Sequence, residues 1–237
     1  MAVASQYSIA DKNTIMTTIT KEQIEAGQAV YSKLNLATYD LTVLGISNQF
    51  IWKCPSSHLL DFYNQHISGN HLDIGVGTGY FLDRCTFPTN TPRLALMDLN
   101  TNTLDVTSRR VARYHPVAYR RNILESIEFD AQGFDSVGLN YVLHCVPGTM
   151  RTKAVVFDNI LPLLNPGGVI FGSTIITVGV ERNFMARRLM DIYNNKYIFN
   201  NQNDSLEELK KIMEDNFSES SVKTIGCAAL FWGRLGT

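Results

Sequence analysis

The chemistry-bearing stretch of this 237-residue chain is Asp73-Ile74-Gly75-Val76-Gly77-Thr78-Gly79. A short apolar run from His71 to Ile74 carries an acid near its end, three glycines follow at alternate positions, and an amphipathic run from Tyr80 can open a helix. Glycine at alternate positions lets the chain turn sharply and lets backbone N–H groups approach a ligand with no Cβ in the way. The stretch therefore reads as a ligand cradle. A dinucleotide loop of the form G-x-G-x-x-G would need glycine at position 80, which is Tyr80. Asp73 would also repel a pyrophosphate, whereas it can accept hydrogen bonds from an ammonium group.

An acid, an apolar residue and G-x-G-x-G, as in Asp73-Ile74-Gly75-Val76-Gly77-Thr78-Gly79, resembles the first motif of the class I S-adenosylmethionine (SAM) dependent methyltransferases. The resemblance implies SAM as cofactor, with Asp73, Gly75, Gly77 and Gly79 forming its cradle. Asp98 ends the second apolar run, at the strand end where an open α/β sheet presents its ligand crevice. One carboxylate there can accept from both ribose hydroxyls, and Leu99 beside it offers an apolar face for adenine. The plain alternative for Asp98 is a cap for the helix that follows.

Asn122-Ile123 comes after the third strand, where the family usually has an acid or amide that meets the adenine amino group; Asn122 departs from the commoner Asp. Asn140 ends the fourth strand, where the family holds the methionine end of the cofactor. Four residues later, Leu143-His144 falls in the segment that lines the methyl-transfer site of relatives. Histidine titrates near neutrality, so His144 is the candidate general base, against the plain reading of a structural histidine. Tyr39, with Trp52 and Lys53, belongs to N-terminal helices that fold over the cofactor in such enzymes; Tyr39 is the second catalytic candidate. His58, His66, His71 and His115 read as surface or packing residues.

These residues need an alternating scaffold. Thr20-Lys21-Glu22-Gln23 fits a capping box, and helices are expected from there to Leu34, over Leu36–Phe50 and over Leu59–Ile67. Strands are expected at His71–Ile74, Leu94–Met97, Val117–Arg120, Ser136–Leu139 and Val169–Ile176. Helices should intervene at 79–85, through Leu104, Val111 and Tyr114, and over Met150–Leu164, with Asn165-Pro166-Gly167-Gly168 a tight turn into strand five. Glu181–Tyr193 reads as a helix, an Asn-rich loop follows, and Ser205 with Glu208 can cap a helix to Asn216. Ser221–Ile225 and Ala228–Trp232 are too close in sequence to be parallel, so they form an antiparallel hairpin. The expected fold is α/β: a Rossmann-like, mostly parallel seven-stranded sheet with a C-terminal hairpin and helices on both faces. One domain covers 1–237, with an arm and helical cap at 1–69, the core at 70–234 and a cap insertion at 178–203.

Composition narrows the partners. The formal net charge is -1 and the basic residues are scattered, so no stripe marks a nucleic-acid surface. Cys54, Cys85, Cys145 and Cys227 form no C-x-x-C pair, which fits reduced thiols in an intracellular protein better than a disulfide framework. No signal-like segment opens the chain, and the longest uncharged stretch, Pro166 to Val180, is too short for ~30 Å of hydrocarbon. A cytoplasmic protein without membrane or nucleic-acid partners is expected; a homodimer stays open. Metal-dependent relatives place acids after strands four and five, where this chain has Asn140-Tyr141 and Ile176-Thr177, so no metal is expected.

The wording of 134–140 and 168–174 resembles the small-molecule methyltransferases of microbial secondary metabolism. That implies methyl transfer to a hydroxyl, thiol or nitrogen of a small, largely apolar metabolite. Tyr31, Tyr39, Phe50 and Trp52, with Phe184, Met185, Met190, Tyr193, Tyr197 and Phe199 of the insertion, are expected to roof its pocket. Two other functions remain: a SAM-binding protein that catalyses a rearrangement or cyclisation, and a non-catalytic partner subunit.

Overall fold

The computed structural model describes residues 40–127 and 132–237. The expected helix from Thr20, and Tyr31 and Tyr39, lie outside the described residues. Seven strands form one sheet: β1 (Asn70–Ile74), β2 (Arg93–Asp98), β3 (Val117–Arg120), β4 (Phe134–Asn140), β5 (Leu164–Ile175), β6 (Glu219–Ile225) and β7 (Ala228–Arg234). Their order is β3-β2-β1-β4-β5-β7-β6. The first five are parallel, and β7 runs antiparallel to both β5 and β6. The chain order reverses between β1 and β4, which opens a crevice at their carboxyl ends.

Among the described residues six α-helices pack around the sheet: α1 (Ser56–His66), α2 (Tyr80–Arg84), α3 (Thr101–Arg110), α4 (Ala154–Ile160), α5 (Phe184–Asn195) and α6 (Leu206–Asn216). Side chains alternate across a strand, so one strand feeds two cores. Ala95, Met97, Ile170 and Phe231 join α4 and α6 residues such as Phe157 and Met213 in one cluster. Leu94, Leu96, Phe171 and Leu230 join Leu59, Tyr63 and Leu82 in the other. Burial on both faces explains why the central strands are nearly continuous apolar runs.

Several elements differ from the sequence expectation, each for a tertiary reason. The described part of the expected helix over Leu36–Phe50 is a π-helix, Asp40–Ile51. Its i→i+5 pitch continues at its end, where the Trp52 N–H donates to the Ser47 carbonyl at 2.8 Å. Ser56 Oγ takes the Leu44 carbonyl at 2.5 Å, capturing from outside an acceptor that an α-helix would use itself. Over 150–164 only Ala154–Ile160 is α-helical, followed by a 3₁₀ turn at Leu161–Leu163 that contains Pro162. The proposed turn at 165–168 lies inside β5: Phe134 pairs with Leu164 and Ser136 with Val169, so the four residues bulge out of a continuing strand. The 206–216 helix forms, but Ser205 makes no side-chain cap; Ser205 instead bridges Val178.

The Asn-rich stretch is held down rather than free. Asn194 and Asn201 bond to each other, and Asn201 Nδ2 donates to the Ile175 carbonyl at 2.9 Å. Lys153 Nζ reaches both Asp204 oxygens, at 2.9 and 2.7 Å, and the Asn200 carbonyl at 2.8 Å. Both members of this ion pair are wholly buried. The insertion after β5 is thus bolted to the turn before α4.

Candidate active site

The crevice at the β1/β4 switch contains a cleft lined by the glycine loop, by Met97-Asp98-Leu99, by 121–124, and by Asn140-Tyr141-Val142 with 145–147. It therefore gathers Asp73, Gly75, Gly77, Gly79, Asp98, Leu99, Asn122, Ile123 and Asn140 from four strand ends. Tyr39 lies outside the described residues. His144 is not part of the lining.

The glycine loop is shaped by two requirements. Gly75 has φ +68 and approaches Val142 so closely that a Cβ would stand 2.4 Å from Val142 Cγ2. Gly77 has φ +55, and a Cβ there would meet nothing within 4 Å. Only glycine takes such a φ without cost, so the first position serves packing, while the second leaves empty space beside its Cα and turns its N–H to Asp98 and its carbonyl to the Thr107 hydroxyl. Thr78 closes the loop: its hydroxyl donates to Asp40 Oδ1 at 2.5 Å, and Arg110 bridges Asp40 to the Thr78 carbonyl. The π-helix is thereby latched onto the loop, and its Leu44 reaches the cleft wall.

Two carboxylates face this space from adjacent strands. Burial pushes Asp73 up to about 7, and the Asp98 charge adds to the shift, while the Tyr63 hydroxyl, donating at 3.1 Å, and the Ile74 N–H offset part of it. Asp98 is also raised by burial, and the N–H groups of Asn100, Leu99 and Gly77 and the Thr103 hydroxyl oppose that shift. The Asn100 contact is 2.9 Å. The helix after β2 is capped by Asn100, whose side chain accepts from the Asn102 N–H; the capping alternative for Asp98 thus falls to its neighbour. Two carboxylates desolvated together call for a ligand that brings positive charge and hydrogen-bond donors.

Asn140 supplies the opposite need. Its Oδ1 accepts from the buried Ser173 hydroxyl at 3.0 Å, which fixes the amide orientation. Its Nδ2 is buried with no partner among the described residues. An orphaned buried donor costs about 1–3 kcal/mol, so the site awaits an acceptor. Asn122 is partly committed: its Oδ1 accepts from the Leu124 N–H at 3.1 Å and its Nδ2 donates to Glu125 at 2.9 Å. One Oδ1 lone pair is left for an exocyclic amine.

His144 lies behind the Asn140–Pro147 wall. The residue is 4 % exposed, and its ring packs edge-on against Phe199, with centroids 4.4 Å apart. Nδ1 accepts from the Ile175 N–H at 3.3 Å. Burial pushes its pKa down to about 3, assisted by the Lys153 charge. The imidazole is neutral, and with Nδ1 accepting, its proton sits on Nε2.

Sequence reasoning missed Tyr141. It holds φ +58, a left-handed conformation unusual for a bulky side chain, and lines the cleft. Its hydroxyl donates to Asn48 Oδ1 in the π-helix. An aromatic following a strand-end Asn was the only signal. Of the expected roof, Trp52, Met190 and Phe199 are buried as glue, whereas Phe50, Phe184, Met185 and Tyr197 are exposed. Asn183 Nδ2 donates to the Ile51 carbonyl, so Phe50, Phe184 and Met185 belong to one junction between the π-helix and α5. Among the described residues no group of three or more His, Cys, Asp or Glu gathers as a metal site, and no helix is long and apolar enough to cross a membrane. All four cysteines are free thiols.

The chain is similar to known methyltransferases over most of its length. A methyltransferase-domain family model matches residues 72–170, from the glycine loop to β5. Demethylluteothin O-methyltransferase of Streptomyces thioluteus is 36% identical over 210 residues, covering 89% of this chain and 91% of its own. The physcion biosynthesis cluster O-methyltransferase of Aspergillus chevalieri is 35% identical over 209 residues, covering 87% and 94%. The solved complex of DhpI with S-adenosylhomocysteine (SAH) shares the fold, with TM-score 0.67 at 16% identity over 92% of this chain and 99% of that one. A glycine cradle flanked by two strand-end acids, in a chain this similar over nearly its whole length to named methyltransferases, is that of an enzyme: the chain belongs to the SAM-dependent methyltransferases.

Proposed function

We propose that this enzyme methylates a hydroxyl oxygen of a small, largely apolar molecule, without a metal, in the cytoplasm. The observation that carries the reading is the convergence on one cleft of Asp73, Asp98, the open face of Gly77 and the orphaned Asn140 Nδ2. These residues fit SAM: Asp98 would accept from the ribose hydroxyls, Asp73 from the ammonium group, and Asn140 Nδ2 would donate to the cofactor's carboxylate. Leu99 and Ile123 would flank the adenine, and Asn122 would accept from its amino group. Oxygen as the acceptor atom is supported by the names of the two O-methyltransferase relatives. The absence of carboxylates after β4 and β5 supports independence of metal, and four free thiols support a reducing compartment.

SAM supplies an already activated methyl group, so the protein's task is alignment and exclusion of water. Tyr141 and Leu44 wall the cleft, and the Asp40–Arg110–Thr78 latch closes the π-helix over it. The largely apolar lining of Leu44, Val76, Tyr80, Phe81, Tyr141 and Val142 supports an apolar acceptor. His144 braces the Asn140–Pro147 wall against Phe199, a positioning role that its buried, neutral ring supports better than proton abstraction. Incubation with methyl-deuterated SAM and a panel of phenols, enols, thiols and amines, in chelator, tests this. A labelled methyl ether formed from a phenol or enol is expected; labelling confined to amines or thiols would overturn the choice of oxygen.

A further inference from the structure

A chain of buried polar side chains leads from Asp73 to the opposite end of the sheet, and nothing in methyl transfer itself requires it. Tyr63 Oη lies 3.1 Å from Asp73 Oδ2 and 3.0 Å from His71 Nε2. His71 Nδ1 lies 2.8 Å from Ser136 Oγ, which lies 2.8 Å from Ser68 Oγ. Tyr63, His71 and Ser136 are wholly buried, whereas Ser68 is half-buried, at the edge where Ile67 leaves α1. The rings are held by packing: Tyr63 stacks on Phe81 and meets Phe171 edge-on, and His71 stacks on Phe171. Gly138 on β4 makes the room, since a Cβ there would stand 3.2 Å from both Asp73 Oδ1 and His71 Cε1.

Each member can donate once and accept once, so the chain has two complete hydrogen-bonding patterns. With Asp73 ionised, Ser68 donates to Ser136, Ser136 to His71 Nδ1, His71 Nε2 to Tyr63, and Tyr63 to Asp73. With Asp73 protonated every bond reverses: Asp73 donates to Tyr63, Tyr63 to His71 Nε2, His71 Nδ1 to Ser136, and Ser136 to Ser68. Ser68 then donates to the Asn70 carbonyl, which stands 2.9 Å away. In neither pattern is a buried member of the chain left unpaired, which low dielectric would penalise heavily.

We infer that Tyr63, His71 and Ser136 are positioning residues for cofactor capture, forming a reversible proton chain that lets Asp73 be a carboxylate under the cofactor's ammonium group and a neutral acid in the empty cleft. This rests on Asp73 as a cofactor ligand. The conversion balances: Tyr63 gives its proton to Asp73 and takes that of His71 Nε2. His71 Nδ1 takes the Ser136 proton, Ser136 takes that of Ser68, and Ser68 regains one from water. The other titratable groups facing this region are Asp98 on β2, which favours the neutral acid, and Cys85 after α2, whose thiol burial keeps protonated. Burial likewise keeps His71 neutral, as both patterns require.

The test is the His71 tautomer, read by ¹⁵N NMR of the ring nitrogens and assigned by its loss in His71→Gln. At about pH 6 the empty protein is expected to carry the proton on Nδ1 and the SAH-bound protein on Nε2. Tyr63→Phe keeps the ring packing but cuts the chain; it is expected to weaken SAH by about tenfold and to leave the tautomer indifferent to SAH. An unchanged tautomer in wild-type protein that calorimetry shows to be saturated with SAH would overturn the chain and leave the cofactor assignment standing. So would a Tyr63→Phe protein with wild-type SAH affinity at every pH. A wild-type protein that binds no SAH would remove both.

Discussion

The Tyr141 hydroxyl donates to Asn48 Oδ1 at 2.9 Å, tying the residue that follows β4 to the π-helix over the cleft. Both side chains are buried, and Asn48 spends its Nδ2 on Ser56. Tyr141→Phe strands Asn48 Oδ1 at a cost of about 1–3 kcal/mol. A melting temperature lower by a few degrees, with SAH affinity several-fold weaker, is expected from thermal and calorimetric titrations. Unchanged values for both would show that the π-helix and the cleft are not coupled through this bond.

His144 separates alignment from proton transfer. With Nδ1 occupied and the ring out of the cleft, His144→Ala is expected to lower kcat by less than about tenfold and to leave the shape of the kcat–pH profile unchanged. Loss of a general base would instead cost ~10²–10⁴ and remove the limb it governs. That larger fall, measured on folded protein, would restore the base assignment.

The Lys153–Asp204 pair fixes the insertion rather than touching ligand. Asp204→Asn leaves the Lys153 ammonium buried with weakened compensation and should destabilise the fold by roughly 3–5 kcal/mol in denaturant unfolding. Lys153→Met with Asp204→Leu should recover most of that loss. A double variant no more stable than Asp204→Asn would contradict this reading.

What could be read without coordinates was local. The alternate glycines, the strand-end acids Asp73 and Asp98, and Asn140 are each defined by a run of a few residues and a strand period, and the structure brings them together in one cleft. The hairpin was legible because two strands separated by Gly226-Cys227 have one way to pair. What escaped depends on distant partners. Lys153 meets Asp204 51 residues away, and His71 meets Ser136 65 residues away, so neither sequence neighbourhood signals a polar core. The π-pitch of 40–51 accompanies a bond from Ser56 to the Leu44 carbonyl twelve residues back, and the left-handed Tyr141 is tied to Asn48, 93 residues away, so neither is visible in a local window. Which side of the Asn140–Pro147 wall the His144 ring occupies could not be read, because position along the chain says nothing about it.

Asp73 is expected to make cofactor affinity pH-dependent. Its folded value of about 7 lies above the ordinary carboxylate range, so the empty folded protein holds a proton that the unfolded chain has lost. Between roughly pH 4 and 7 the stability of the empty protein therefore falls, through this group, as pH rises. The ammonium ligand selects the carboxylate, so SAH affinity should rise by up to about tenfold per pH unit from pH 5 to 7 and then flatten. Asp73→Asn should bind weakly with a flat profile. A wild-type affinity that falls over this interval would contradict the role given to Asp73.

The most direct measurement of the cleft's function is calorimetric titration of wild-type protein and Asp98→Ala with SAH at a pH of about 8, where Asp73 is ionised. Micromolar binding or better is expected for the wild type. Asp98→Ala should lose roughly 1.5–3 kcal/mol, as for hydrogen bonds to a charged group, while keeping its fold. A wild-type protein indifferent to SAH, or an Asp98→Ala protein that binds it equally well, would contradict the placement of the cofactor in this cleft.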